Sequence, residues 1–297
     1  MKVKKFDENL GYRRRRAKLI ARVLAAALML SFCGCSNIVG GGSECGLLYC
    51  ISSGELLYGE GCEERIAPAS LTKLLTASVA LKYISSEQVF TVGTELEIVP
   101  PHSSLCLIAK GHRLRLYDLI AGMLMVSGND AAYTVAVSTA KEVSGNGEMT
   151  DREAVEYFCG LMNDFAADLG MSGGRFTSPD GSDSEGQYTT LSDLLLLARH
   201  AWSVPEIREI VSTAEKYTVF ESGENITWKN TNRLLDPDDE FYCEYAKGMK
   251  TGTTVKAGNC LIAVFEKDGE EYVSVVARCF SDRRRYELAL EIFYEFA

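Results

Sequence analysis

Hydrophobic residues follow two different spacings along this chain. In its middle, apolar residues recur every three or four positions, which predicts amphipathic helices. Toward both ends of the body, short runs of β-branched and aromatic residues between turn signals predict strands. The predicted helices cover residues 70–83, 116–125, 130–143, 151–169, 191–202 and 283–296. The predicted strands cover residues 46–52, 55–61, 90–99, 217–219, 226–228, 247–254, 259–265 and 271–280. This arrangement indicates one α+β domain, with strands at both ends and helices between them.

Polar residues mark where two of these helices begin. Asp130 is predicted to cap the helix that follows it, and either Thr190 or Ser192 is predicted to cap the helix that ends at Trp202. No internal repeat and no second domain is visible in the sequence.

The first 35 residues predict a targeting segment. A basic stretch at residues 13–18 precedes an apolar run at residues 23–32 that is too short to span a bilayer. The segment is similar to a bacterial lipoprotein signal, with Gly34 before the acceptor Cys35, although Phe32 stands where that pattern prefers Leu. Three outcomes stay open: a lipid on Cys35, cleavage without a lipid, or retention as an uncleaved anchor.

The organisation that follows has three parts. Residues 1–35 are the signal, residues 36–44 with their run of glycines form a flexible tether, and residues 45–297 form the folded domain. We therefore expect an exported protein. We expect attachment to the bacterial membrane through its N-terminus or a lipid on Cys35, and otherwise secretion.

Charge and histidine content exclude several functions. The net charge is −10, and because residues 1–34 carry +7, the remainder carries −17. Such an acidic body disfavours nucleic acid as a partner. The chain has only three histidines, His102, His112 and His200, and no two are close in sequence. A histidine metal site or a Ser-His-Asp triad is therefore not indicated, and we expect neither a metal nor a cofactor.

Ten cysteines are unusual for this length, and eight of them follow the signal. An exported protein can oxidise such thiols. If Ser53 and Gly54 form a two-residue hairpin turn, Cys45 faces Cys62 and a disulfide between them would close the open end of the hairpin. For most of the eight, buried free thiols are the alternative.

Three short motifs carry the candidate chemistry. Ser70-x-x-Lys73 lies at a predicted helix start. Ser127-Gly128-Asn129 lies at the break between two predicted apolar helices, and Lys250-Thr251-Gly252 lies on a predicted strand. A second Ser-x-x-Lys at residues 138–141 and a second Ser-Gly-Asn at residues 144–146 lack this context.

Each motif meets a chemical need of nucleophilic catalysis. A serine hydroxyl needs a base, and Lys73 lies one helical turn from Ser70. A lysine can act as this base only if its pKa is lowered well below its ordinary value. A second ammonium at about 4 Å would destabilise the protonated lysine by roughly 4 kcal/mol at an effective dielectric near 20. We therefore expect Lys250 to lower the pKa of Lys73 more than the helix dipole does.

The remaining motif residues are assigned to proton transfer and substrate binding. Ser127 is a candidate proton relay to a leaving amine, and Asn129 a candidate to hold Lys73 and a substrate carbonyl. Gly252 lets a substrate backbone approach the strand. The candidate ligands for a terminal carboxylate are Lys250, Thr251 and Thr253. The backbone N–H groups of Ser70 and Thr253 are the candidate oxyanion hole.

At these residues the chain resembles the serine-type D-alanyl-D-alanine carboxypeptidases, the low-molecular-weight penicillin-binding proteins of peptidase family S11. The resemblance runs from about Gly46 to the C-terminus. It extends to residues 68–73, 117–120, 127–132, 161–163, 230–235, 248–254 and 257–261. It implies a β-lactamase/transpeptidase-like fold, in which an antiparallel sheet flanked by helices stands beside a mostly helical lobe.

The resemblance also implies a reaction. Ser70 would be acylated by a peptidoglycan stem peptide with release of terminal D-alanine, and water would then hydrolyse the acyl-enzyme. β-Lactam antibiotics would be inhibitors, with Ser70, Lys73 and Ser127 catalytic and Asn129, Lys250, Thr251, Gly252 and Thr253 binding substrate.

Two departures from the family pattern stand out. Residues 178–181 read Ser-Pro-Asp-Gly where the family often has Asn-Pro-x-Gly, a difference expected to have little bearing on chemistry. The sequence ends at Ala297 without the extra β-domain and amphipathic anchor of many members. Membrane attachment is therefore expected from the N-terminal segment.

Three alternatives remain open. A β-lactamase-like hydrolase is disfavoured because no Glu-x-x-Leu-Asn pattern lies between the second and third motifs, and because Gly128 stands where class A enzymes usually have Asp. An esterase on the same fold is the second. A non-catalytic cell-wall-binding protein is the third, and the presence of both Ser70 and Lys73 counts against it.

Overall fold

The computed structural model describes residues 42–297. The predicted signal, including Cys35, and most of the predicted tether lie outside the described residues. The strands of the described part are β1 Cys45–Cys50, β2 Glu55–Glu60, β3 Val89–Thr91, β4 Arg113–Arg115, β5 Glu215–Val219, β6 Asn225–Lys229, β7 Ala246–Thr254, β8 Gly258–Lys267 and β9 Glu270–Cys279. Its α-helices are α1 Thr72–Tyr83, α2 Leu116–Met125, α3 Asn129–Ser144, α4 Asp151–Asp168, α5 Leu191–Ser203, α6 Pro205–Ser212 and α7 Asp282–Phe296.

The main sheet joins the two ends of the domain. Its five strands run in the order β2-β1-β9-β8-β7, and every neighbouring pair is antiparallel. The N-terminal hairpin therefore pairs directly with the last strand, and β7 forms one edge of the sheet. Two short hairpins, β3-β4 and β5-β6, lie outside this sheet.

Both faces of the sheet are covered. Along β8 the side chains of Ile262 and Val264 join a large core shared with the helices, whereas Leu261 and Phe265 join a second core shared with α7. This alternation follows the two-residue period of a strand. In α7, Phe293 stacks on Phe265 with the ring centroids 4.2 Å apart. The sheet thus lies between α7 and the helical part of the chain, which confirms the predicted α+β arrangement.

Most predicted elements occur within two residues of their expected ends, and residues 116–125 form α2 as predicted. Thr190 caps α5 by accepting a hydrogen bond from the backbone N–H of Asp193. Of the two predicted capping residues, Thr190 and Ser192, the cap is therefore Thr190. The turn between β8 and β9 is at Asp268 and Gly269, and both have positive φ.

Three expectations about local structure are wrong. Residues 90–99 do not form one strand: β3 ends at Thr91, and residues 94–98 form a 3-10 helix. Asp130 does not cap α3. The N-cap residue of this helix is Gly128, and no side chain of the described residues accepts a hydrogen bond from its first turn as a cap. The buried carboxylate of Asp130 instead accepts hydrogen bonds from the backbone N–H groups of Cys106 and Ile108, at 2.9 and 3.3 Å.

The third wrong expectation is the disulfide between Cys45 and Cys62. Both cysteines are free. The hairpin turn spans four residues rather than two, and an irregularity next to Leu48 gives pairs such as Gly46 with Glu60 and Cys50 with Glu55. Cys45 consequently lies beside Gly61, where an added Cβ would be 2.6 Å from its sulfur. A slip of one residue moves a side chain to the opposite face of a strand, and this removes the expected pairing.

Candidate active site

Ser70 lies on a tight turn that the core holds in place. Residues 69–71 form a 3-10 turn that leads directly into α1, and Ala69 and Leu71 on either side of the serine are fully buried. Strand β7 runs against this turn, because a Cβ added to Gly252 would lie 3.1 Å from the backbone nitrogen of Ser70. The sequence thus places a hydroxyl at a helix start beside the edge strand of the sheet.

Lys73 is the base candidate, and its amine contacts the serine directly. Its Nζ lies 2.7 Å from Ser70 Oγ and 2.8 Å from the main-chain oxygen of Asp180. The side chain has no exposed surface. Burial lowers the pKa of Lys73 to about 8, although the charges of Asp180 and Asp130 act in the opposite direction. The neutral fraction of Lys73 near physiological pH is therefore much larger than that of an ordinary lysine, although the ammonium still predominates below pH 8.

The second amine of the site belongs to Lys250 on β7. It is buried, and its Nζ donates a hydrogen bond to the main-chain oxygen of Thr251 at 2.8 Å. Its pKa lies well below the ordinary lysine value because of burial, with repulsion from Lys73 and Arg285 adding to the effect. The expectation that Lys250 lowers the pKa of Lys73 is wrong. Burial lowers the pKa of Lys73, and Lys250 is not among the groups that shift it, whereas the repulsion between the two amines lowers the pKa of Lys250.

Asn129 begins α3 and points into the same region. Its Nδ2 donates to Asp180 Oδ2 at 2.6 Å and to Ser103 Oγ at 2.9 Å. Within residues 42–297 no hydrogen bond joins Asn129 to Lys73. The expected direct contact is thus replaced by an indirect one, in which Asp180 contacts both side chains.

Ser127 lies on the turn between α2 and α3 and has a positive φ of 61°. The serine is nearly buried. No hydrogen bond of its hydroxyl to Ser70 or Lys73 occurs in the part of the chain that the structure describes. Ser127 therefore lies on the turn that leads to Asn129, but its hydroxyl is not hydrogen-bonded to the candidate nucleophile in the described residues.

Strand β7 presents the third motif along the cleft. Thr251 Oγ1 lies 2.7 Å from Thr231 Oγ1, and Thr253 Oγ1 donates to Asn259 at 3.1 Å. Arg285, which reaches this strand from α7, donates to Thr253 Oγ1 at 3.0 Å and to the main-chain oxygen of Gly252 at 3.3 Å. A nearly buried guanidinium thus lies beside the hydroxyl group expected to bind a carboxylate.

A cleft of about 330 Å³ opens over these groups. Its lining comes from three segments of the chain: residues 100–104, residues 180–183, and residues 253–255, together with Ser70 and Asn129. Across the cleft, Asp183 accepts hydrogen bonds from Thr254 Oγ1 at 2.6 Å and from the backbone N–H of Lys256 at 2.9 Å. A peptide that entered the cleft would meet Ser70, Thr253 and the unpaired edge of β7.

Among residues 42–297 no three His, Cys, Asp or Glu side chains are grouped so that they could hold a metal ion. A serine, a buried amine of lowered pKa and an adjacent strand that carries a second buried amine fit acyl transfer through a covalent intermediate. A family model described as D-alanyl-D-alanine carboxypeptidase, peptidase S11, matches residues 43–280. The chain belongs to this family.

Curated members of the D-alanyl-D-alanine carboxypeptidase family agree with this assignment. The chain is 31% identical over 245 residues to DacC of Escherichia coli, which covers 79% of this chain and 56% of that protein. It is 28% identical over 236 residues to DacF of Bacillus subtilis, with 78% and 56% covered. The chain thus spans little more than half the length of these two relatives. The carboxypeptidase of Streptomyces sp. K15 is 29% identical over 259 residues, with 82% and 84% covered.

Solved structures of the family share the fold. The DD-transpeptidase of Streptomyces K15 superposes with a TM-score of 0.76 at 28% identity, covering 88% of this chain and 97% of that one. Penicillin-binding protein D2 of Listeria monocytogenes, solved in an ampicillin-bound form, gives a TM-score of 0.68 at 26% identity, covering 89% and 99%. The β-lactamase/transpeptidase-like fold implied by the sequence motifs is therefore confirmed.

Two residues of the candidate site were not predicted from the sequence. Asp180 belongs to the Ser-Pro-Asp-Gly segment, which was expected to matter little, yet it contacts both Lys73 and Asn129. Its only signal was an acid within that departure from the family pattern. Arg285 is the last of three consecutive arginines, and nothing in their order shows which of them points inward.

Proposed function

We propose that this protein is a serine-type D-alanyl-D-alanine carboxypeptidase that removes the terminal D-alanine from peptidoglycan stem peptides. The observation that carries the proposal is the 2.7 Å contact between Lys73 Nζ and Ser70 Oγ, made by a buried lysine whose pKa is about 8. A neutral amine at this distance can take the hydroxyl proton as the oxygen attacks.

In the first half of the reaction, Ser70 Oγ attacks the carbonyl carbon of the penultimate D-alanine while its proton passes to Lys73. The backbone N–H groups of Ser70 and Thr253 stabilise the oxyanion that forms. A proton then reaches the nitrogen of the terminal D-alanine, with Ser127 as the proposed relay. The C–N bond breaks, D-alanine leaves, and an ester to Ser70 remains. Water hydrolyses this ester in the second half and restores the serine.

Substrate orientation comes from the third motif and from Asn129. The peptide lies along the open edge of β7. The close approach that Gly252 permits is that of the Ser70 turn, because an added Cβ would lie 3.1 Å from the backbone nitrogen of Ser70. The terminal carboxylate of the peptide meets Lys250, Thr251 and Thr253, with Arg285 behind them. β-Lactams acylate Ser70 by the same attack, with ring opening in place of departure of D-alanine.

The substrate places the protein outside the cytoplasm, and attachment through residues 1–35 or a lipid on Cys35 belongs to the proposal. None of the helices described within residues 42–297 is long and apolar enough to cross a membrane.

A direct test uses the purified protein, a D-alanyl-D-alanine peptide and a fluorescent penicillin. The wild type should release D-alanine and become covalently labelled, and Ser70→Ala should do neither while keeping its circular-dichroism spectrum. Wild-type protein that stays unlabelled at saturating penicillin contradicts the proposal and favours a non-catalytic wall-binding protein. Rapid turnover of the penicillin favours a β-lactamase-like hydrolase, and release from ester substrates alone favours an esterase.

A further inference from the structure

Asp180 is a buried carboxylate in the wall of the cleft. It is 1% exposed. Oδ2 accepts the 2.6 Å hydrogen bond from Asn129, and Oδ1 accepts two from Ser182, at 3.1 Å from its backbone N–H and 3.0 Å from its hydroxyl. The main-chain oxygen of the same residue accepts the 2.8 Å bond from Lys73. One residue therefore contacts both the base candidate and the amide at the start of α3.

The carboxylate fixes which way the Asn129 amide faces. An ionised carboxylate can only accept hydrogen bonds, so it must face Nδ2 of the amide rather than Oδ1. The second N–H of Nδ2 goes to Ser103 Oγ, and that hydroxyl in turn donates to the main-chain oxygen of Pro100 at 2.6 Å. Of the two amide N–H groups, one is held by a buried acid and the other by a serine at the cleft surface. The second is the one that a substrate carbonyl can take over by displacing Ser103.

The negative charge also acts on Lys73. The titratable groups around this lysine are Asp180 on the cleft loop, Asp130 on α3 and Lys250 on β7, and the charges of the first two raise its pKa. The Asp130 carboxylate is occupied by backbone N–H groups of residues 106 and 108. When Ser70 attacks, Lys73 becomes an ammonium in a buried site, and a fixed carboxylate nearby stabilises that charge as it develops.

Asp180 faces few other titratable groups. Tyr133 and Cys159 are near enough for its charge to raise their pKa values, and burial is the larger cause in both. Both are neutral across the range in which Lys73 titrates. Changes at residue 180 should therefore be read out through Lys73 and Asn129.

We propose that Asp180 is a positioning residue for the reaction proposed above: its carboxylate orients the Asn129 amide toward substrate and stabilises the ammonium that forms on Lys73. The proposal rests on the proposed function. It adds to the three motifs a fourth component, supplied by the loop that contains residues 176–187.

The test measures the second-order rate of acylation by a fluorescent penicillin from pH 5.5 to pH 10. Asp180→Asn keeps the shape of the side chain and removes its charge. We expect its pH midpoint to fall by about one unit, because the charge of Asp180 raises the pKa of Lys73 and its removal takes that effect away. We also expect the plateau rate to fall about tenfold, the worth of one oriented hydrogen bond. Glu185→Gln removes one charge from an exposed position of the same loop and should match the wild type in both quantities.

A second variant separates the two effects. Asp180→Glu keeps the charge but moves the carboxylate, so its midpoint should stay at the wild-type value while its plateau falls. Wild-type plateau rates in Asp180→Glu, or a midpoint in Asp180→Asn equal to that of Glu185→Gln, overturn the proposal. If Asp180→Asn does not fold, the plateau of Asp180→Glu still decides. A wild type that is not labelled at any pH contradicts the proposed function instead, so the two failures are distinguishable.

Discussion

The guanidinium of Arg285 lies 3.0 Å from the hydroxyl oxygen of Thr253, and this contact joins the terminal helix to the cleft. The arginine is 6% exposed, and its Nε has no hydrogen-bond partner within the described part of the chain. Its other Nη atom pairs with Asp282 at the start of α7. A buried cation with an unused donor next to a cleft is suited to an anionic ligand.

Replacing Arg285 by Leu should weaken recognition of the terminal carboxylate. We expect kcat/KM for a D-alanyl-D-alanine peptide to fall by about 10- to 100-fold, since one charge-assisted hydrogen bond is worth about 1.5–3 kcal/mol. A substrate whose terminal carboxylate is replaced by an amide should lose much less on the same substitution.

Arg283→Leu is the matched control on the same helix. Arg283 is exposed and pairs with Glu240 and Glu287 on the surface, so its loss should leave kcat/KM within about twofold. Equal losses for the acid and amide substrates in Arg285→Leu would show that the arginine acts on the fold and not on the carboxylate.

Acylation should depend on pH through Lys73. The neutral amine is the base, and burial lowers its pKa to about 8. The acylation rate should therefore increase with pH along a curve whose midpoint lies near pH 8. Stopped-flow measurement of penicillin acylation between pH 6 and pH 10 tests this. Lys73→Arg, which stays charged over the whole range, should show no rising limb. A wild-type rate that is flat across pH 8 would exclude Lys73 as the titrating base.

Strand β8 and the first hairpin differ in how much of their structure the sequence predicts. The run at residues 259–265 predicts a strand, and β8 is found there with a core on each side. In the first hairpin the strands were predicted, but their register depended on a four-residue turn and an irregularity at Leu48. Turn geometry of this kind leaves no distinct signal in so short a segment, and the Cys45 pairing was lost with it.

Buried polar residues explain the other differences. The carboxylate of Glu95 is buried and accepts hydrogen bonds from the backbone N–H of Gly93 and from Thr134 Oγ1 on α3. This long-range contact accompanies a 3-10 helix where alternation predicted a strand. Asp180 is the same case at the site: its partners are 51 and 107 residues away in sequence. The motifs identify residues that share a local pattern, whereas such contacts exist only in the folded chain.

The buried base should lower stability. Because the pKa of Lys73 falls from 10.5 unfolded to about 8 folded, the unfolded state binds the proton more tightly. The resulting loss of stability is complete below about pH 8, declines between pH 8 and pH 10.5, and is absent above that range. Lys73→Met should therefore be inactive but raise the free energy of unfolding at pH 7 by about 1–3 kcal/mol.

Urea denaturation of both proteins at pH 7 and pH 10 measures this difference. Groups common to the two proteins cancel in the comparison, so the advantage of Lys73→Met should shrink at the higher pH. A variant less stable than the wild type at both values would mean that the contacts of Lys73 with Ser70 and Asp180 outweigh the cost of burying the charge.

Gly181 provides the sharpest test of how closely the cleft loop must approach the nucleophile. It has a φ of +85°, and an added Cβ would lie 1.8 Å from the main-chain oxygen of Ala69 and 2.8 Å from Thr72 Oγ1. Gly181→Ala should therefore push the loop away from the Ser70 turn. We expect a loss of stability of about 2 kcal/mol or more and penicillin acylation reduced at least tenfold.

The matched control is Gly186→Ala. Gly186 lies on the same loop with a similar φ of +75°, but nothing lies within 4 Å of its added Cβ. Both substitutions carry the same backbone strain, about 1 kcal/mol, so a difference between them isolates the contact with Ala69. Thermal melts and acylation rates of the two variants decide the matter. If Gly186→Ala loses as much activity as Gly181→Ala, backbone strain alone accounts for the loss and close approach of residue 181 to the nucleophile turn is not required.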